Sequence, residues 1–213
     1  MGVHAGCLDT YNYISQWVAP DFFFSKKDVW HRMGFLGVFG DYVLSCTGGD
    51  IMEIGAGEST VYLSALSRKF NRKIYYCDCG GGKLSNPLTV KGYLNEENSE
   101  ICIETSDKMF STRKITPLAL SFIDGDHTYE QAKKDFFNIL PLTVDNGYII
   151  LHDTYPEVES DVDENRCGWV YKLRQELEKD DRFDTLTLVK GCAMGLGFTI
   201  VRKKPENRPY YNE

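Results

Sequence analysis

Short apolar runs alternate with longer segments of helical period along most of the chain. Aromatic and aliphatic residues recur at helical spacing from Leu8 to Trp17 and again from Lys26 to Cys46, with Pro20 between them, which predicts an N-terminal helical lead-in. After the Gly48, Gly49 turn comes an apolar strand, Ile51 to Ile54. The segment Gly55, Ala56, Gly57, Glu58, Ser59 then leads into a helix carrying Val61, Leu63, Leu66 and Phe70. Further strands are expected at Ile74 to Cys77, Glu100 to Ile103, Leu118 to Ile123 and Tyr148 to Leu151, the last beyond a turn bracketed by Pro141 and Gly147. Helices are expected at Tyr129 to Leu140 and near Trp169 to Glu178, and closing strands near Phe183 to Val189 and Gly197 to Arg202.

That alternation predicts an α/β fold with a mainly parallel sheet covered on both faces. The last two strands are joined by a short glycine-bearing segment and can pair antiparallel. Residues 1–48 form the helical lead-in, 49–204 the core and 205–213 a surface tail, all within one structural domain. The glycine-rich segment from Cys77 to Tyr93 departs from a standard connection; closure over a cofactor and a plain excursion both remain open for it.

Composition narrows the function classes. A chain of 213 residues with 42% hydrophobic residues can bury a substantial core, and no apolar run is long enough to cross a bilayer. With 31 acidic and 24 basic side chains the net charge is −7, and no basic stripe stands out, so nucleic acid is not expected as the main substrate. The N-terminus lacks the pattern of an export signal, so the seven cysteines are read as reduced and the cytoplasm as the expected compartment. Only Cys77 and Cys79 lie close together, a poor start for a four-ligand zinc site. Self-association is left open.

Two constellations carry chemistry. In the first, Gly55 and Gly57 let the chain turn after a strand and let a ligand approach the backbone at a helix N-terminus. Thr60 stands where a pyrophosphate-binding loop usually has its third glycine. Asp78, at the end of the next strand, can accept both ribose hydroxyls of an adenosyl group, and Glu53 can steer a cofactor amino group or simply brace the loop. In the second, Asp124, Asp126, His127, His152 and Asp153 collect at the C-terminal ends of two strands expected to be neighbours, where open parallel sheets hold their ligands. Carboxylates with imidazoles there allow metal binding or proton transfer, and equally helix capping.

The run Met52 to Thr60, followed by Phe122 to Glu130 and by Gly147 to Thr154, resembles class I S-adenosylmethionine-dependent methyltransferases. The closest resemblance is to the small-molecule branch that includes family 24 and, more distantly, the metal-dependent catechol and macrolide sugar enzymes. It implies a doubly wound, Rossmann-like sheet of seven strands in the order 3-2-1-4-5-7-6, the last antiparallel. It further implies S-adenosylmethionine held by Glu53, Gly55, Ala56, Gly57, Ser59, Thr60, Asp78 and Asp124, with Ser106 and Asp107 nearest the adenine. Asp124 and Asp153 match carboxylates that bind magnesium in the metal-dependent relatives, and Thr154 stands where the catechol-type enzymes have an amide ligand; manganese is the alternative ion. His127 falls where a catalytic lysine stands in those relatives, with Asp126 placed to orient it, and His152 is the rival base. The reading is methyl transfer to a hydroxyl of a small molecule. Its rivals are a nicotinamide-dependent oxidoreductase and a catalytically silent module that binds a partner.

Overall fold

The computed structural model describes residues 27–80, 97–163, 166–189 and 196–205. The first predicted helix, most of the glycine-rich segment after Cys79, and the C-terminal tail lie outside the described residues. Helix α1 spans Lys27–Cys46, followed by β1 (Asp50–Ile54), α2 (Glu58–Phe70), β2 (Ile74–Cys77), β3 (Ser99–Cys102), α3 (Ser106–Thr112), β4 (Leu118–Ile123) and α4 (Tyr129–Ile139). A single 3₁₀ turn then leads into β5 (Thr143–His152), and α5 (Val170–Leu177), β6 (Phe183–Leu188) and β7 (Phe198–Lys203) complete the order.

The seven strands form one sheet in the order β3-β2-β1-β4-β5-β7-β6, with β7 antiparallel to both of its neighbours. Strands β2 and β4 are buried at every position, as the continuous apolar runs required. Successive side chains of β1 serve opposite faces. Ile51 joins the layer built with α1 and α2, and Met52 and Ile54 join the layer built with α4 and α5. The same alternation places Glu53 under the start of α2, where Ser59 and Thr60 meet it. In β5 it places Ile149 and Leu151 on the α4 side, and His152 against Phe122 and Phe198 of the opposite layer.

Two elements differ from the sequence expectation. Helix α3 was not signalled, because it is seven residues long and buries only Ser106 and Met109; the Thr105 hydroxyl, accepting from the Lys108 amide, caps it. Strand β5 starts at Thr143, before the expected turn at Gly147. Leu118 pairs with Thr143 whereas Leu120 pairs with Tyr148, so the intervening residues bulge, with Asn146 left-handed at φ 62°. The turn residues were read correctly as breaks in regularity, but the chain resumes the same strand. No helix among the described residues is long and apolar enough to cross a membrane.

Candidate active site

The loop after β1 is shaped by one backbone demand. Gly55 has φ 86°, and a Cβ on it would lie 2.0 Å from the Asp124 carbonyl oxygen. The bare Cα therefore lets the glycine loop touch the end of β4, where the Asp124 amide donates to the Ile54 carbonyl (2.8 Å), while on the other side the Gly55 amide donates to the Cys77 carbonyl at the end of β2 (2.8 Å). Gly57 has an extended φ of −165° and serves as N-cap of α2, with its amide donating to the Thr60 hydroxyl at 2.9 Å.

Thr60 passes that interaction on, donating to Glu53 at 2.7 Å, and Ser59 donates to the other oxygen of the same carboxyl group. Glu53 is fully buried. Its burial, reinforced by the nearby charges of Asp124 and Asp78, raises its pKa from 4.5 to about 8 against the two hydroxyl hydrogen bonds. An acid whose folded pKa lies above its unfolded value stabilises the fold fully below the unfolded value. It loses that contribution as pH rises toward the folded one. Wild-type protein should therefore melt progressively lower from about pH 5 to about pH 8, and Glu53→Gln should flatten that decline. Parallel melting curves for the two proteins would remove Glu53 as its cause.

Asp78 closes the loop from the β2 side. One carboxylate oxygen accepts from the Ala56 amide at 3.1 Å and the other from the Gly80 amide at 2.7 Å. Each oxygen keeps a lone pair for a ligand. Ser106 and Asp107 open α3, on the far side of β4 from α1. Gln131 of α4 donates to Ser106 at 3.0 Å, and Lys134 pairs with Asp107 at 2.6 Å, so both serve the α3–α4 contact as the structure stands.

Asp124 is the hub of the second constellation. One oxygen accepts from His152 Nδ1 at 2.9 Å and lies 3.3 Å from His127 Nε2. The Asp153 carboxylate lies 3.3 Å from His152 Nδ1 and 4.0 Å from His127 Nε2. Burial opposes the charge of Asp124, but the imidazoles of His152 and His127 outweigh it and hold the carboxyl well below the usual range. Burial also opposes protonation of both imidazoles. The facing carboxylates outweigh it and raise both pKa values. His152 is the more enclosed, and its buried Nε2 has no hydrogen-bond partner among the described residues. His127 keeps 18% of its side chain exposed.

Asp124, His152 and Asp153 bring one ligand atom each within 4.8 Å of one another. Two carboxylate oxygens and an imidazole nitrogen suit a divalent ion, the imidazole favouring a transition metal over magnesium. The third atom of that group is the His152 nitrogen, whereas the expected ligand Thr154 is fully buried and its hydroxyl accepts from Thr199 at 2.8 Å. One further expectation is corrected. Asp126 accepts from the Thr128 amide at 2.8 Å and shapes the turn before α4, so Asp124, not Asp126, contacts the His127 ring. The Tyr129 hydroxyl donates to Glu176 at 2.7 Å and ties α4 to α5.

The acidic loop after β5, residues 155–163, is organised around Asp161. That carboxylate is buried, accepts from the amides of Glu157 (3.1 Å) and Val158 (3.3 Å), and pairs with Arg166 at 2.9 Å. A single internal carboxylate among many solvated ones has no signature in the sequence.

Residues 52–154, which contain both constellations, match the family 24 model described as a methyltransferase domain. This stretch is a methyltransferase domain, on the sheet order of the class I S-adenosylmethionine-dependent enzymes. An O-methyltransferase from Bacillus cereus, solved in complex with SAH, is similar to this methyltransferase with a TM-score of 0.63 at 15% identity, covering 96% of this chain and 93% of its own. The methyltransferase PaMTH1 of Podospora anserina, also SAH-bound, gives 0.61 at 17% identity over 96% and 90%. The O-methyltransferase TomG of Streptomyces achromogenes, in complex with SAM, gives 0.58 at 16% identity over 89% and 98%. At these identities the likeness establishes the fold. No curated protein sequence matches the chain.

Proposed function

We propose that this methyltransferase moves the methyl group of S-adenosylmethionine to a hydroxyl oxygen of a small molecule, with His127 as base. The observation that carries the reading is the contact of the two constellations. The glycine loop touches the Asp124 backbone, and the Asp124 side chain in turn holds both imidazoles. A donor seated over the loop would thus face the polar cluster, as in-line transfer requires. Relatives whose names describe O-methyltransferases support the oxygen acceptor.

In the proposed reaction, a lone pair of the acceptor oxygen attacks the sulfonium methyl carbon. The carbon–sulfur bond breaks with its electrons staying on sulfur, which leaves S-adenosylhomocysteine. The hydroxyl proton passes to the partly exposed His127 imidazole at the ring nitrogen turned away from the carboxylates, because Nε2 faces Asp124 and Asp153 and donates to Asp124. His152 supports that geometry from the buried side, between Phe122 and Phe198. Glu53 keeps the glycine loop closed on β1, and Asp78 offers its free lone pairs to the ribose. Asp124, Asp153 and His152 would hold a divalent ion, manganese or magnesium, whose charge would anchor the acceptor oxygen and counter the carboxylates that raise the His127 pKa.

The proposed setting is cytoplasmic, with the thiols reduced. Cys46, Cys77, Cys79, Cys102 and Cys167 are all free, and burial pushes the Cys77 and Cys167 thiols up to about 12, leaving them inert.

The test is turnover of a hydroxyl acceptor chosen from a panel of phenols and sugars. His127→Ala should lower kcat by about 10²- to 10⁴-fold and leave cofactor affinity intact. Normal turnover by that variant would exclude His127 as the base. A strong chelator should suppress the wild-type rate and added manganese or magnesium restore it; full activity in chelator would reject the ion while leaving the base in place.

A further inference from the structure

Residues 166–169 connect the acidic loop to α5, and besides their contacts within that loop they reach the backbone of Asp153 and of His127. The buried Cys167 thiol donates to the Asp153 carbonyl, and the Cys167 amide donates to the Asp161 carbonyl at 3.1 Å. Gly168 has φ 53°, and a Cβ on it would lie 2.3 Å from the His127 carbonyl oxygen and 2.6 Å from the His127 Cβ. Its amide donates to the Asp163 carbonyl at 2.9 Å. The Trp169 amide donates to the His127 carbonyl at 2.7 Å. A four-residue segment thus grips the backbone of Asp153 after β5 and of His127 after β4.

These two residues need such a grip. Asp153 itself is left-handed, at φ 52°, a conformation that a residue with a Cβ holds only where its surroundings impose it. His127 lies in the turn between β4 and α4, outside any ladder of hydrogen bonds. The separation of the two side chains, 4.0 Å from His127 Nε2 to Asp153 Oδ2, is therefore not set by the sheet alone.

We propose that residues 166–169 are a positioning strut that holds the His127 imidazole against the Asp124 and Asp153 carboxylates, with the bare Cα of Gly168 and the thiol of Cys167 as its two working parts. The strut acts through His127 and Asp153. It rests on the reading of His127 as the base. Adding a methyl group at Gly168 forces the His127 backbone outward, because the obstructing atoms are backbone and Cβ rather than the end of a flexible side chain. Removing the thiol at Cys167 releases the Asp153 carbonyl.

The experiment reads the ring nitrogens of His127 and His152 by long-range ¹H–¹⁵N NMR at one fixed pH, alongside calorimetric binding of S-adenosylhomocysteine and kcat. In Gly168→Ala the His127 Nε2 resonance should move toward that of a free imidazole. Affinity for S-adenosylhomocysteine should stay within about a factor of three. With an acceptor that the wild type methylates, kcat should fall about a hundredfold at unchanged cofactor KM. Cys167→Ala should displace the ring resonances and Cys167→Ser, which keeps a donor, should restore them. A folded Gly168→Ala protein with unmoved His127 resonances overturns the strut. If that variant does not fold, unmoved resonances in Cys167→Ala do the same. Wild-type protein that binds no S-adenosylhomocysteine would instead remove the methyl-transfer reading, because the ring signals report position without turnover.

Discussion

The Asp124→Asn variant is expected to lose turnover by about 10²- to 10⁴-fold and to melt roughly 6–12 °C lower than wild type in metal-free buffer. The carboxylate is the shared partner of both imidazoles, so its loss leaves the enclosed, protonated His152 with Asp153 alone. Removing one partner of a buried ion pair costs about 3–5 kcal/mol, and the partial exposure of Asp124 argues for the lower end. The pH window follows from the directions of the shifts. A raised imidazole pKa contributes stability that is fully present below its ordinary value of about 6.5 and is lost as pH rises through the folded value. A depressed carboxyl pKa contributes above its ordinary value of about 3.9 and is lost as pH falls through the folded value. The melting deficit of Asp124→Asn should therefore be greatest between those two ordinary values and shrink in alkali. An equal deficit across the whole range would mean that packing, not charge, ties Asp124 to the cluster.

A comparable effect is expected at the glycine loop. Gly55→Ala should destabilise the protein by at least about 3 kcal/mol in denaturant melts and abolish cofactor binding. Two terms add there. The residue is held at φ 86°, where a Cβ is strained, and the new methyl would overlap the Asp124 carbonyl, a backbone atom that can retreat only if β4 shifts. Such a shift would carry the Asp124 side chain with it, so both constellations fail together. A variant within about 1 kcal/mol of wild type that still binds cofactor would show that the loop does not press on β4 as described.

Much of this arrangement was legible before any coordinates. The sheet was readable because β1, β2 and β4 are short, mainly apolar runs separated by helices of clear period, and the motif residues fixed the strand order through resemblance. The clustering of Asp124, His127, His152 and Asp153 followed from their common place at strand ends. What the sequence did not disclose is which neighbour each polar group would choose. Asp126 and Asp124 differ by two positions, yet only Asp124 directly follows the ladder in which Phe122 pairs with Ile150, and so meets His152. Thr154 was matched by position alone. Its hydroxyl is turned to a partner on β7, forty-five residues away. Gly168 and Cys167 carried no pattern at all, since their value lies in a long-range approach to His127 and Asp153.

The central claim is that this chain binds S-adenosylmethionine through the Gly55 loop and Asp78. It is tested most directly by calorimetric titration of the wild type and of Asp78→Ala with S-adenosylmethionine, with NAD titrated in parallel. The account predicts saturable one-to-one binding of S-adenosylmethionine, weakened about ten- to a hundredfold in Asp78→Ala by loss of charge-assisted hydrogen bonds to the ribose, and no heat with NAD. Binding of NAD with none of S-adenosylmethionine would contradict it.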